Sequence, residues 1–330
     1  MAQIKKKKSE LPVSDNKGLM FLRENLGILI ALAILCVLLS FLPATSSSFL
    51  SSQNIFNVLR QISTNMLIAC AMTMVIILGG IDLSVGSIIA LSGVIAAGCV
   101  ARYNLPIAAA LLAGVLVGTA IGVFNGFVIS RTTIPPFIVT LATMNIARGL
   151  AKVYTGGSPV RVMSKQWQFI GGGYVGFIPV PVIIMVIAVV ATALLMNKTK
   201  MGRHIYAVGG NAQAAVFSGI RVSTVKFTVH VYAGLMAGIA GIILASRMYS
   251  GQPTAGEGAE MDAIAAVVVG GTSMAGGAGK IGGTIIGALI IGVLNNGLNL
   301  MNVNSFWQDV VKGAVILLAV FIDYIRNKNA

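Results

Sequence analysis

Charge is what this sequence most conspicuously lacks. Only 10% of its 330 residues are Asp, Glu, Lys or Arg, against about 25% in a soluble domain. Hydrophobic residues make up 56% and the mean hydropathy is +0.90. Such a surface cannot be wetted as a free globule, and so apolar a chain is not disordered. Acids are scarcest, with nine Asp and Glu against 23 Lys and Arg, and there are only two histidines. None of the acids falls at the centre of an apolar run, so nothing supports a proton relay across a membrane. His204 and His230 have no GxSxG elbow to serve, which removes Ser-His-acid catalysis. Cys36, Cys70 and Cys99 each sit inside an apolar run without CxxC spacing. A disulfide framework and a zinc site are thereby excluded. Alternation over about ten residues, the mark of a transmembrane barrel, is also missing.

What is present is a series of long apolar runs. Crossing a bilayer takes about 20 residues of helix. Nine runs come near that length: Leu26–Pro43, Ile62–Gly80, Leu83–Ala101, Ile107–Ser130, Phe137–Tyr154, Val180–Asn197, Phe227–Arg247, Ile281–Leu300 and Phe306–Ile325. Asp262–Ser273 is a tenth, too short to span alone. The reading is an all-α polytopic membrane protein with about ten helices. A basic segment 1–25 precedes the membrane domain 26–325, which carries an internal loop 198–225, and 326–330 form a tail. Lys5–Lys8 place the N-terminus in the cytoplasm by the positive-inside rule. Ten crossings then return Arg326 and Lys328 to that side, together with Arg131, Lys198, Lys200 and Arg203. The net charge of +14 is thus an orientation signal rather than a nucleic-acid footprint. Met248–Glu260 falls outside as an external stretch.

The second-to-fifth and seventh-to-tenth spans form two groups of opposite orientation, which suggests inverted four-helix repeats. Asp82 and Asp262 would open equivalent helices; each reads first as an N-cap, and otherwise as part of a polar pathway. Gly114, Gly118 and Gly122, like Gly283 and Gly287, recur every four residues and mark closely packed helix faces. Asp309 and Lys312, at i and i+3, are placed to pair, and Arg148 calls for a structural partner or for snorkelling.

The glycine-rich Gly270–Gly283 does not fit the phosphate-binding pattern G-x-x-x-x-G-K-[ST]: Ile281 follows Lys280, and Met274 occupies the first glycine position. No catalytic, cofactor or metal site follows from the residues; this loop reads as a flexible turn. In Lys198–Val225, Asn211 can cap a short helix and Gly219 can end it. That helix would either seat in a groove of another protein or lie on lipid headgroups.

At this loop a family resemblance becomes specific. GGIDLSVGS (Gly79–Ser87), YTGGSPV (Tyr154–Val160), GRHIYAVGGNAQAAVFSGI (Gly202–Ile220) and the long stretch Gln252–Leu300 resemble the permease subunit of bacterial ATP-binding-cassette sugar importers. The branch is that of ribose, xylose, arabinose and galactosides. The resemblance implies a fold similar to the vitamin B12 importer permease. It also implies location in the bacterial inner membrane and three kinds of partner: an ATP-binding cassette subunit, a soluble sugar-binding protein outside, and a second permease copy. Gly210, Asn211, Ala212, Gln213, Ala214, Ala215, Val216, Phe217, Ser218 and Gly219 would form the helix that couples to the ATPase. A neutral sugar needs neutral donors and acceptors. Asn65, Asp82, Ser84, Asn145, Asn295, Asn296 and Asn299 are the candidates for its path, each also able to make an interhelical hydrogen bond. The alternative function is a stand-alone secondary carrier or channel for a small neutral solute.

Overall fold

The computed structural model describes residues 17–328. Lys5–Lys8 and Asn329–Ala330 lie outside the described residues. The elements run α1 (Lys17–Phe41), α2 (Ser52–Ile77), α3 (Val85–Ala101), α4 (Ile107–Arg131), α5 (Pro136–Thr155), β1 (Val160–Arg161), α6 (Lys165–Gly172), β2 (Tyr174–Val175) and β3 (Ile178–Pro179). They continue with α7 (Val180–Lys198), α8 (Lys200–Gly210), α9 (Ala212–Phe217), α10 (Val222–Arg247), β4 (Ser250–Gly251), α11 (Ala259–Val269), α12 (Ile281–Leu300) and α13 (Ser305–Lys328). Each of the ten apolar runs overlaps one of these helices.

Six of the described helices, α2, α4, α7, α10, α12 and α13, are long and apolar enough by themselves to cross a membrane. The protein is an all-α polytopic membrane protein. The other four runs fall short for separate reasons. The apolar part of α1 (Asn25–Phe41) and α3 are shorter, and α5 carries Arg148 and Lys152. The 11 residues of α11 rise only about 16 Å.

Helix ends follow local chemistry. Proline at the first helical positions opens α5 and α7, where its missing N–H costs nothing. Gly156, at φ 64°, closes α5 in the left-handed conformation, a position that favours glycine over residues with a Cβ.

Two helices form the centre. Nearly all of α2 from Ile62 to Ile77 is buried, and α10 packs against α2, α3 and α4. The α4–α10 contact is backbone against backbone: a Cβ on Gly118 would lie 2.6 Å from the carbonyl oxygen of Gly234. Gly114 and Gly122 face Ile242 and Gly234. On the other side of the molecule Gly283 and Gly287 meet the backbone of Gly270 and Ala266. With no hydrophobic drive between helices in lipid, this close approach is the main source of cohesion.

The helix pairings have a regular form. α3 contacts α4, α5 and α10, and α4 contacts α10; α11 contacts α12, α13 and α2, and α12 contacts α2. Exchanging α2 with α10, α3 with α11, α4 with α12 and α5 with α13 turns one set into the other, whereas among the described residues the contact of α4 with α5 has no counterpart of like extent between α12 and α13.

The stretch Met248–Glu260 departs from its expected place on the outer surface. After β4 pairs with β1, the chain descends along α3. Gly251 rests on Val94 and Ala97, while Gly256 rests on Ile89 and the carbonyl of Gly86. Glu260 reaches the first turn of α3 at Gly86, the far end of a helix about 25 Å long. Glycines at φ 72° and 77°, Gly256 and Gly258, make the turn into α11. The descent is held by Arg148 of α5, whose Nη1 donates to the carbonyls of Pro253 (2.9 Å) and Ala255 (2.7 Å). Arg148 thus has the structural partner its position called for.

Candidate functional site

Two clusters of polar residues lie among the helices of the membrane domain, each around one acid. In the first, Asp82 accepts from the backbone N–H (2.9 Å) and hydroxyl (2.6 Å) of Ser84. Asn125 of α4 donates to Ser84 Oγ at 2.9 Å, and Thr143 of α5 donates to Asn125 Oδ1 at 2.6 Å. All four residues are buried, and the chain of bonds ties α3, α4 and α5 together. In the second, Asp262 of α11 accepts from Asn295 of α12 (3.3 Å) and Asn65 of α2 (3.4 Å). Lys312 of α13 lies 3.4 Å from Asp262 and 3.8 Å from the exposed Asp309. The i, i+3 pair exists, but the nearer partner of Lys312 is the buried acid.

Neither acid is the N-cap that the sequence suggested. Ser84 holds that position before α3, and Asp82 closes a turn ahead of it. Asp262 sits inside the first turn of α11, whose N-cap is Gly258. A glycine at φ 77° starts the helix three residues earlier than the apolar run does.

The asparagines separate by environment. Asn296 exchanges two hydrogen bonds with Asn54 of α2, at 2.9 and 3.0 Å, an interhelical clamp. The Oδ1 atom of Asn295 is buried without a partner. Asn145 is exposed on α5 and donates to its own helix at Leu141. Asn299 is exposed at the end of α12 and accepts from Gln308 of α13. Although Asn295 and Asn299 stand one turn apart, one is buried and the other is not. Asn54, Asn125 and Thr143 escaped the reading of the sequence. Asn125 was legible as an amide within the apolar run Ile107–Ser130, which demands a partner; Asn54 lies ahead of the run that begins at Ile62 and gave no such signal.

The 198–225 segment forms two helices where one was expected. Apolar residues at 201, 205 and 208 give α8 its buried face, an i, i+4, i+7 pattern that marks a helix. α9 follows after one residue. Asn211 accepts the N–H of Ala214 at 2.9 Å, and Gly219, at φ 77°, lets Ile220 N–H bond back to Ala215. Of Gly210–Gly219 only Ala215 is buried; Val216 is 58% and Phe217 91% exposed.

This short helix stands on a rigid seat. Gly209 packs against the carbonyl of Ile77 and the amide of Gly277. Gly277 N–H donates to Ile77 O at 2.8 Å, and Tyr206 Oη donates to Gly279 O at 2.8 Å. Burial pushes the Tyr206 hydroxyl above its usual pKa. Gly270–Gly283 is therefore not a free turn. Its glycines at φ 89° and 73°, Gly276 and Gly277, lay its backbone against α8 and the end of α2.

Comparison with known proteins shows the family of the chain. The family model for the branched-chain amino acid transport system / permease component matches residues 54–320. The ribose import permease protein RbsC of Bacillus subtilis is 50% identical over 327 residues, covering 98% of this chain and 100% of that protein. RbsC of Escherichia coli K12 is 47% identical over 89% of this chain and 92% of its own length. The xylose transport system permease protein XylH of Haemophilus influenzae is 36% identical over 92% and 98%. No solved structure matches. The chain belongs to the branched-chain amino acid transport system / permease component family, and it is a transport subunit, not an enzyme.

Proposed function

We propose that this chain is the membrane permease of an ATP-driven importer for ribose or a closely related sugar. Two copies would stand in the bacterial inner membrane with both termini inside. ATP-binding cassette subunits would bind at α9, and a soluble sugar-binding protein at the opposite face. The observation that carries this reading is the exposed Phe217 on a capped helix with a rigid seat. An aromatic side chain 91% in water is an anchor in want of a pocket. Force on α9 passes through α8 to the end of α2 and to the loop that starts α12, because those backbones touch. A lever joined to two membrane helices suits alternating access driven from a partner chain.

The exchangeable helix pairings support inverted repeats, about ten crossings, and a fold of the vitamin B12 importer type. The sugar path is assigned to the exposed face of α5 with Asn145 and to the outer ends of α12 and α13 with Asn299. Asn295 offers an unpaired acceptor beside it, suited to a sugar hydroxyl. Asp82, Ser84 and Asn296, whose bonds are internal, hold the helices that shape the path. A stand-alone carrier or channel is not favoured by a family of permease components.

Replacing Phe217 with Asp should abolish sugar-stimulated ATP hydrolysis and uptake in vesicles containing the ATPase and the binding protein. The variant should still purify as a folded protein. Normal uptake by that variant would remove α9 from the coupling path.

A further inference from the structure

At the end of the molecule opposite α9, a pocket of about 370 Å³ opens between α2, α6 and α10. Asn57, Arg60, Gln61, Arg247 and Tyr249 line it. Arg247 Nη1 donates to the backbone carbonyl of Arg60 at 3.2 Å, which holds the two cationic residues side by side. Arg60 bonds Asn57 Oδ1 at 3.2 Å and Tyr174 Oη, with its guanidinium 4.8 Å from the centre of the Tyr174 ring. Its Nε is buried without a partner. Among the described residues no carboxylate pairs with either arginine. Two guanidiniums in one pocket repel each other and lose hydration, and a bound anion lowers both costs.

The pocket is built rather than incidental. Trp167 of α6 is wholly buried. Ser246 of α10 accepts the N–H of Gly171 at 2.7 Å and donates to the carbonyl of Trp167 at 2.5 Å. Gly171 lies directly on the backbone of Arg247. The donors are thus fixed before any ligand arrives, which favours binding.

Beside the arginines the surface is apolar. Tyr174 belongs to the hairpin of β2 and β3, whose Val175 (56%), Phe177 (77%) and Ile178 (37%) are exposed. Cations flanked by exposed aromatic and aliphatic side chains match the headgroup level of a bilayer. The guanidinium fork matches a phosphate. We propose that this pocket holds the phosphate group of an anionic lipid, with the Tyr174–Pro179 hairpin against its acyl chains. The proposal rests on the chain spanning a bilayer and is independent of the transported solute.

The test is thermal unfolding of the purified chain in neutral detergent, titrated with phosphatidylglycerol, phosphatidylcholine of the same chains, or inorganic phosphate. Phosphatidylglycerol should raise Tm where phosphatidylcholine does not. Arg60→Gln and Arg247→Gln should each weaken its half-saturation by about tenfold, the worth of one charge-assisted bond. Arg247→Lys, which keeps the charge but not the fork, should respond more strongly than Arg247→Gln and less than the parent, which guards against a variant that merely misfolds. Phe177→Ser should weaken the lipid response alone. Equal responses to the two lipids, or Gln variants that respond like the parent, would overturn the proposal. Inorganic phosphate acting as well as the lipid would overturn the lipid as the source. Gln variants that keep the lipid response but lose binding of a soluble protein would assign the pocket to a protein carboxylate instead.

Discussion

The two acid-centred clusters occupy matching places in the helix pairings and differ in character. Around Asp82 every partner is neutral and buried, and each bond is handed to the next, from Ser84 to Asn125 to Thr143. Around Asp262 the eighth residue of α13 is a cation, Lys312, where the eighth residue of α5 is Thr143. The second cluster also leaves Asn295 Oδ1 without a partner and has Lys312 and Asn65 only half-buried. A closed neutral network makes a strut, whereas a part-exposed ion pair can be traded against water. The first half is thus tied by a closed set of internal bonds, whereas in the second half α11 is short and, among the described residues, α13 touches little besides α11.

The largest effect should come from disrupting the first half. Gly118→Leu puts a side chain into the backbone of Gly234 and Gly238. It should cost more than the ~1–3 kcal/mol usual for overpacking, with no monodisperse protein by size-exclusion chromatography. In the other half the three atoms nearest a Cβ on Gly292 all belong to the side chain of Ile62, which can shift where a backbone cannot. Gly292→Ala should purify normally with a slightly lower Tm.

Next in size is the charge of the second cluster. Lys312→Met leaves Asp262 without its cation; for so part-exposed a pair the loss should fall between the ~1 kcal/mol of a surface pair and the ~3 kcal/mol of a buried one. Adding Asp262→Asn should recover most of that loss in a double-mutant cycle of thermal unfolding. Additive losses would deny the pairing.

Thr143→Val removes one neutral bond from the first cluster and should cost about 0.6–1.7 kcal/mol, read by the same assay. Smallest in stability is Asn145→Leu, because Asn145 bonds only within its own helix. Its Tm should be unchanged while sugar uptake falls, and unchanged uptake would remove α5 from the path.

The elements were legible because their signals are local. Apolar runs gave the helix positions, and Asn211 with Gly219 bounded α9. Glycines spaced by four were readable as packed faces because the reason is geometric. What sequence could not show depends on contacts across the fold. Met248–Glu260 is polar and glycine-rich like a surface loop, and only its packing on Gly86 and Arg148 draws it inward. Lys312 was paired with Asp309 on spacing, while its nearer partner Asp262 lies 50 residues away in the chain. The seat of α9 is likewise made by Ile77 and Gly277, far apart in sequence.

The central claim is that the chain supplies a conduit and a lever but no energy of its own. The direct measurement is labelled ribose uptake into vesicles holding the purified permease, first alone and then with an ATP-binding cassette subunit, a sugar-binding protein and ATP. The account predicts accumulation only in the complete system, lost again when Phe217 is replaced by Asp. Sugar flux through the permease alone, at a rate that ATP and the partners do not change, would contradict it.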